Sequence, residues 1–271
     1  MTTYRYTIQP KDLNTEIALA YLSALDFYAF EEGKEGILAY TTQKVEDTKA
    51  ALEDLKSQFD FEYSVEEIPY KNWNAVWESN FDEVVVSDFC GIRADFHEPV
   101  KGVKYEIVIT PKMAFGTGHH ETTFMMIQSM EQIDFKGKKV LDYGCGTGIL
   151  AILAAYLGAK EIDAVDIEIE SYKNTLEHAQ LNQVNNIHAI HGTLDDISTN
   201  DYDVILANIN RNVILESLEA LYHKLTKGGY ILFSGVLLKD ESFVIKKARE
   251  VGFVFLSKMT KGDWSCFVMQ R

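Results

Sequence analysis

The run Val140-Leu141-Asp142-Tyr143-Gly144-Cys145-Gly146-Thr147-Gly148 constrains this chain more than any other stretch. Apolar residues lead into Gly-x-Gly-x-Gly, and Ile149-Leu150-Ala151-Ile152-Leu153-Ala154-Ala155 follows with good helix formers. Strand, tight glycine loop and helix in that order open a nucleotide-binding βαβ unit. Glycine lets the backbone approach a ligand closely, and a helix N-terminus offers unpaired N–H groups. Many strand-to-helix turns need a glycine, so the turn alone is weak. Ile149 stands where the dinucleotide fingerprint wants Gly or Ala, which disfavours a nicotinamide or flavin. About 20 residues further on, Ile162-Asp163-Ala164-Val165-Asp166 reads as a second strand, ending in an acid suited to ribose hydroxyls.

Length and composition narrow the rest. A chain of 271 residues, 46% hydrophobic and 25% charged, reads as one large globular domain or two unequal ones. Asp and Glu number 41 against 26 Lys and Arg, a formal charge of −15. That balance repels a phosphate backbone at long range, disfavours a nucleic-acid substrate and favours a basic partner. No stretch is apolar enough to span a membrane, and Met1-Thr2-Thr3-Tyr4-Arg5 lacks a signal-peptide core, so a cytoplasmic protein is expected. Cys90, Cys145 and Cys266 are widely separated and fit neither a disulfide framework nor a zinc site.

Residues 1–68 carry their own pattern. Tyr4–Ile8 alternates like a strand, and Asn14 or Thr15 can cap a helix with Ile17, Leu19, Ala20, Leu22 and Leu25 on its apolar positions. Phe27–Phe30 and Gly36–Tyr40 read as strands joined by the charged turn Glu31–Glu35; a helix from Val45 and a strand Phe61–Val65 follow. The order βαββαβ predicts a small ferredoxin-like α+β domain. Residues 69–110 read as a linker helix and short strands. Trp73, Trp77 and Phe81 form an aromatic stripe better suited to packing than to substrate binding.

Residues 111–271 read as the nucleotide-binding domain. Met113-Ala114-Phe115-Gly116-Thr117-Gly118-His119-His120-Glu121-Thr122-Thr123 suggests a glycine-rich lid whose Thr122 or Thr123 hydroxyl touches a small ligand. His119 and His120 lack the His-Glu-x-x-His spacing of a zinc site, since Thr123 takes the place of the second His, and no metal is expected. Strands are predicted at Ile187–Ile190, Asp203–Ala207 (ending at Asn208) and Tyr230–Gly235, with a helix Val213–Leu225 closed by Lys227-Gly228-Gly229. Phe253–Leu256 and Cys266–Met269 predict an antiparallel pair closing an otherwise mostly parallel, Rossmann-like sheet.

Gly-x-Gly-x-Gly followed by such an acid resembles the class I S-adenosylmethionine-dependent methyltransferases. Within them, the chain resembles the bacterial family that methylates the large-subunit stalk-base ribosomal protein, protein eleven. The resemblance rests on Trp73–Phe81, Met113–Gly118 with Thr122-Thr123, Asp142–Leu150, Ala207-Asn208-Ile209 and Ser234-Gly235. It implies a small N-terminal domain that recognises the substrate protein and a larger domain that binds S-adenosylmethionine, releasing S-adenosylhomocysteine. Cofactor contacts then fall on Thr123, Gly144, Asp166 and Asn208, with Gly146, Phe115 and Gly116 beside them, and Asn208 orients the reacting amine. The expected substrate groups are lysine side chains and the α-amino group of a basic ribosomal protein, and the enzyme is expected to be a monomer. Asp142 is expected to order the glycine loop, and Cys145 to fit the turn without a nucleophile's role.

The family commonly has Gly-Thr-His-Pro-Thr-Thr where this chain has Gly118–Thr123, and Asn-Ile-Leu where it has Asn208-Ile209-Asn210. Two other readings compete. A glutamine or nucleobase methyltransferase typically carries Asn-Pro-Pro-Tyr where Asn208-Ile209-Asn210-Arg211 stands, and intact Gly144, Asp166 and Asn208 argue against a non-catalytic cofactor-binding ribosome adaptor.

Overall fold

In the computed structural model, the described residues are 2–11, 15–33, 36–68, 82–110 and 120–271. The chain divides into two compact units, Met1–Asn80 and Phe81–Arg271.

The first unit runs β1 (Thr3–Pro10), α1 (Thr15–Leu22), β2 (Ala29–Gly33), β3 (Gly36–Thr41), α2 (Val45–Leu55) and β4 (Phe61–Ile68). Its sheet order, β2-β3-β1-β4 with antiparallel neighbours, is ferredoxin-like. Period-2 alternation sends Tyr6, Ile8, Ile37, Ala39 and Phe61 into a core closed by Ala18 and Leu22 of α1 and Leu52 and Leu55 of α2. The predicted turn Glu31–Glu35 is shorter than expected. Glu31 pairs with Leu38 and Gly33 with Gly36, so β2 continues through the acids, which a strand with one solvated face can carry.

The second unit opens with β5 (Val84–Val86), β6 (Cys90–Ala94) and β7 (Tyr105–Ile109), a three-stranded sheet in that order. The sequence division put these strands with the linker; they lie within Phe81–Arg271, and β7 packs against two helices of that unit. Then come α3 (Glu121–Met130), β8 (Lys139–Tyr143), α4 (Ile149–Tyr156), β9 (Glu161–Asp166), α5 (Ile169–Leu181) and β10 (Ile187–His191). The chain continues through β11 (Tyr202–Asn208), α6 (Arg211–Lys224), β12 (Leu225–Leu237), α7 (Leu238–Val251), β13 (Val254–Lys261) and β14 (Trp264–Gln270).

The large sheet has the order β10-β9-β8-β11-β12-β14-β13, parallel through β12 and antiparallel at β14 and β13. Val140, Leu141, Ile205, Leu206, Ile231 and Leu232 are all buried, as strands covered on both faces require. Strand order reverses between β8 and β11. Right-handed crossovers therefore put α4 and α5 on one face and α6 and α7 on the other, and open a crevice at the carboxyl ends of β8 and β11.

One predicted helix end moves. Helix α6 stops at Lys224, where Leu225 turns extended (φ −85°, ψ 138°) and starts β12. Gly228 and Gly229 do not cap it. Gly228 N–H donates to the Arg271 carbonyl at 2.8 Å, Arg271 N–H donates back to Gly229 at 3.1 Å, and a Cβ on Gly229 would meet the Asp203 carbonyl at 2.9 Å. Gly229 serves close strand packing, and Gly228 a turn at a φ of 81°.

Candidate active site

The glycine loop leaves β8 with Gly144, Gly146 and Gly148 all at positive φ (73°, 55° and 79°), a conformation that side chains disfavour. It hangs from the end of β9, since the N–H groups of Gly144 and Cys145 both donate to the Val165 carbonyl, at 2.9 and 3.2 Å. Two of the glycines also answer to protein neighbours. A Cβ on Gly144 would fall inside the Ile209 side chain, and one on Gly148 would meet Thr175 at 3.1 Å. Gly144 is therefore needed for close approach to the strand end carrying Asn208, a reason the sequence reading did not contain.

Asp166 binds the loop as well as ending β9. Its Oδ2 accepts the Gly146 N–H at 2.9 Å, and its Oδ1 accepts the Glu168 N–H at 2.9 Å. A carboxylate oxygen can accept a second bond, so both retain capacity for a ligand hydroxyl.

Asp142 is buried, and its Oδ2 accepts the Ala151 N–H at 3.1 Å. Gly148, at the N-cap of α4, has no side chain to offer, so Asp142 supplies the cap from the preceding strand. Burial pushes its carboxyl up to about 7; the Ala151 bond opposes this and the nearby Asp166 adds to it. The Cys145 thiol is pushed up by burial and lies 3.3 Å from Thr175 Oγ1, an environment for packing rather than nucleophilic attack.

Helix α5 contributes groups that the sequence reading missed. Thr175 Oγ1 donates to the Gly146 carbonyl at 3.2 Å, and His178 Nδ1 lies 2.8 Å from the Thr147 carbonyl. Asn174, Thr175 and His178 on this helix, and Asn182 at its C-cap, are all buried, which their polar spacing in the sequence does not reveal.

Asn208 ends β11, with its Nδ2 donating to Thr123 Oγ1 at 3.3 Å. That bond brings together two predicted site residues from the ends of different elements. Thr123 itself is buried, 5% exposed. Ile209 follows, wedged between Gly144 and Gly235; a Cβ on Gly235 would strike its carbonyl. Asn210 caps α6, accepting the N–H groups of Asn212 and Val213 at 3.1 Å each. Asn210, which differs from the common family residue, therefore has a structural role. Arg211 pairs with Asp240 at 2.9 Å.

His120 caps α3, with Nδ1 accepting the Thr122 N–H at 3.3 Å, while Trp264 meets its ring edge-on at 4.8 Å. Phe115 and Gly116, like Trp73–Phe81 and Met113–His119, lie outside the described residues.

A glycine loop, an acid ending the next strand and an asparagine at the reversal of strand order, on a sheet closed by an antiparallel strand, define a methyltransferase of class I, the S-adenosylmethionine-dependent kind. Comparison with known proteins makes the assignment narrower. The ribosomal protein L11 methyltransferase (PrmA) family matches residues 14–271, and the chain belongs to it. It is similar to the ribosomal protein L11 methyltransferases of Phocaeicola vulgatus (38% identical, covering 94% of each chain) and Porphyromonas gingivalis (37%, covering 97% of this chain and 94% of the relative). Among solved structures, the ribosomal protein L11 methylase of Lactobacillus delbrueckii subsp. bulgaricus superposes with a TM-score of 0.66 at 30% identity, covering 70% of this chain and 99% of that one.

Proposed function

We propose that this chain transfers methyl groups from S-adenosylmethionine to amines of ribosomal protein L11, both lysine side chains and the α-amino group, with Asn208 orienting each amine. The observation that carries the reading is the Asn208–Thr123 bond. With Nδ2 on the threonine hydroxyl, Oδ1 is the proposed acceptor for a substrate N–H.

Bound S-adenosylmethionine supplies the activated methyl group. Asp166 fits the ribose hydroxyls, and the Gly144–Gly148 loop fits the remainder of the cofactor through its backbone. The chain's task is to hold a neutral amine in line. At pH 7 a lysine, with a reference pKa of about 10.4, loses its proton at a cost of roughly 4–5 kcal/mol; an α-amino group near 7.7–8.0 costs about 1 kcal/mol. A closed, poorly solvated crevice lowers both costs. Asn208 can orient the amine without acting as a base, and a single acceptor tolerates an amine that has already gained a methyl. Asn210 as a helix cap and Arg211 opening α6 differ from the proline and ring that hold a planar amide or base in glutamine and nucleobase enzymes.

The first unit is proposed to recognise the substrate, and the charge of −15 suits a basic ribosomal protein. Among the described residues no helix is long and apolar enough to cross a membrane, which is compatible with action in the cytoplasm. Incubation with labelled S-adenosylmethionine and a ribosomal extract tests the reading. Label on amines of L11 alone is expected; label on glutamine or RNA, or no transfer, overturns it.

A further inference from the structure

Methyl transfer as described leaves the polar stripe of α5 without a purpose. Asn182 Oδ1 accepts the Val108 N–H at 2.8 Å while its Nδ2 donates to the Val108 carbonyl at 2.6 Å, reproducing the donor and acceptor of a neighbouring strand along the edge of β7. One turn earlier lies His178, with a ring 1% exposed. Its Nδ1 faces the Thr147 carbonyl at 2.8 Å, and Nε2 meets the Thr110 N–H at 3.1 Å and the Thr110 carbonyl at 3.3 Å; with the proton on Nδ1, the shorter contacts at both nitrogens are satisfied. One imidazole thus joins the glycine loop to the end of β7, from which the sequence runs into Met113–Gly118.

The loop needs such a tie. Thr147 lies between Gly146 and Gly148, both at positive φ, where local sterics do little to fix the direction of a carbonyl. A loop left free loses that freedom when ligand binds, and affinity falls accordingly.

We propose that His178 is a positioning residue for the cofactor, holding the Thr147 carbonyl and the Thr110 N–H in one register through the two nitrogens of its ring. The role rests on reading Gly144–Gly148 and Asp166 as the S-adenosylmethionine site. It requires a donor and an acceptor side by side, which glutamine has and leucine lacks.

Calorimetric titration of S-adenosylmethionine into folded wild type, His178→Leu, His178→Gln and Asp166→Ala, with steady-state kinetics on L11, tests it. His178→Leu is expected to weaken binding about tenfold, as loss of buried hydrogen bonds does, and to raise KM for the cofactor while kcat at saturation changes little. His178→Gln should restore most of the affinity. A folded His178→Leu protein with wild-type affinity overturns the proposal, and so does His178→Gln as weak as His178→Leu. Should the leucine variant not fold, His178→Met, whose flexible chain adapts to the same space, carries the comparison. Asp166→Ala separates the two claims. If it binds like the wild type while His178→Leu is weakened, the ribose assignment fails and the positioning role stands. If only Asp166→Ala is weakened, the positioning role falls alone.

Discussion

The glycine loop after β8 and the strand end of β11 touch, Ile209 of one against Gly144 of the other, yet they are held by different means. The loop is tied to Val165, Asp166, Thr175 and His178 through backbone groups that local sterics alone would leave loose. At the strand end, the Asn208 side chain bonds to Thr123 at 3.3 Å. The loop is tied by several bonds, whereas the Asn208 amide has one side-chain partner among the described residues, Thr123. On the proposed function, a preorganised loop suits a cofactor that binds in every cycle, and a sparsely held amide suits the proposed range of amines.

The contact between the two halves offers the most severe way to break the comparison. Gly144→Ala adds a Cβ inside Ile209 at a φ of 73°, and should cost roughly 3 kcal/mol or more from combined strain and overpacking. Urea denaturation measures it. Ile209→Ala in the same chain should recover the overpacking but not the backbone strain. Full recovery would mean that the positive φ carries no cost.

Asp142 tests how firmly the loop side is built. Its folded pKa of about 7 lies above the usual carboxylate value of about 3.9. Between those values the folded protein holds a proton that the unfolded chain has released. Stability therefore falls as pH rises from about 4 to about 7, by on the order of 4 kcal/mol, and levels off above. Asp142→Asn keeps an acceptor for Ala151 and should lack this slope. Parallel stability curves for the two proteins would remove the buried charge from the account.

The acceptor side should respond more gently. Thr123→Val removes the acceptor of the Asn208 amide, with an expected loss of about 1 kcal/mol of stability and a slower transfer step, but near-normal cofactor affinity. Equal losses in affinity and rate would show that Thr123 serves the cofactor rather than Asn208.

What the sequence revealed follows the same division. Strands β8, β9, β11 and β12 were legible because parallel strands buried on both faces read as apolar runs, and Asp166 and Asn208 stand where those runs end. The partners of these residues were not legible. Ile209 looks like an ordinary aliphatic residue until two distant glycines close on it. Thr175, His178 and Asn182 look like the wet side of a helix, since sequence does not show that the edge of β7 and the loop carbonyls lie against them. The acids of β2 read as a turn because consecutive charges suit a solvated loop, and only the structure shows Gly33 paired with Gly36. Gly228 and Gly229 read as a helix cap because their partner, Arg271, is far along the chain.

The central claim is that Asp166 binds and Asn208 aims, and the most direct test measures both quantities in both variants. Cofactor affinity by calorimetry and single-turnover methylation of L11 should be determined for Asp166→Ala and Asn208→Ala. Asp166→Ala should lose roughly 1.5–3 kcal/mol of binding, the range for hydrogen bonds to a charged group, and transfer at near the wild-type rate once saturated. Asn208→Ala should bind within a few-fold of wild type yet transfer about a hundredfold more slowly, as removal of a positioned polar group in a reaction centre does. If affinity and single-turnover rate fall together in both variants, the division of labour between the two strand ends is wrong.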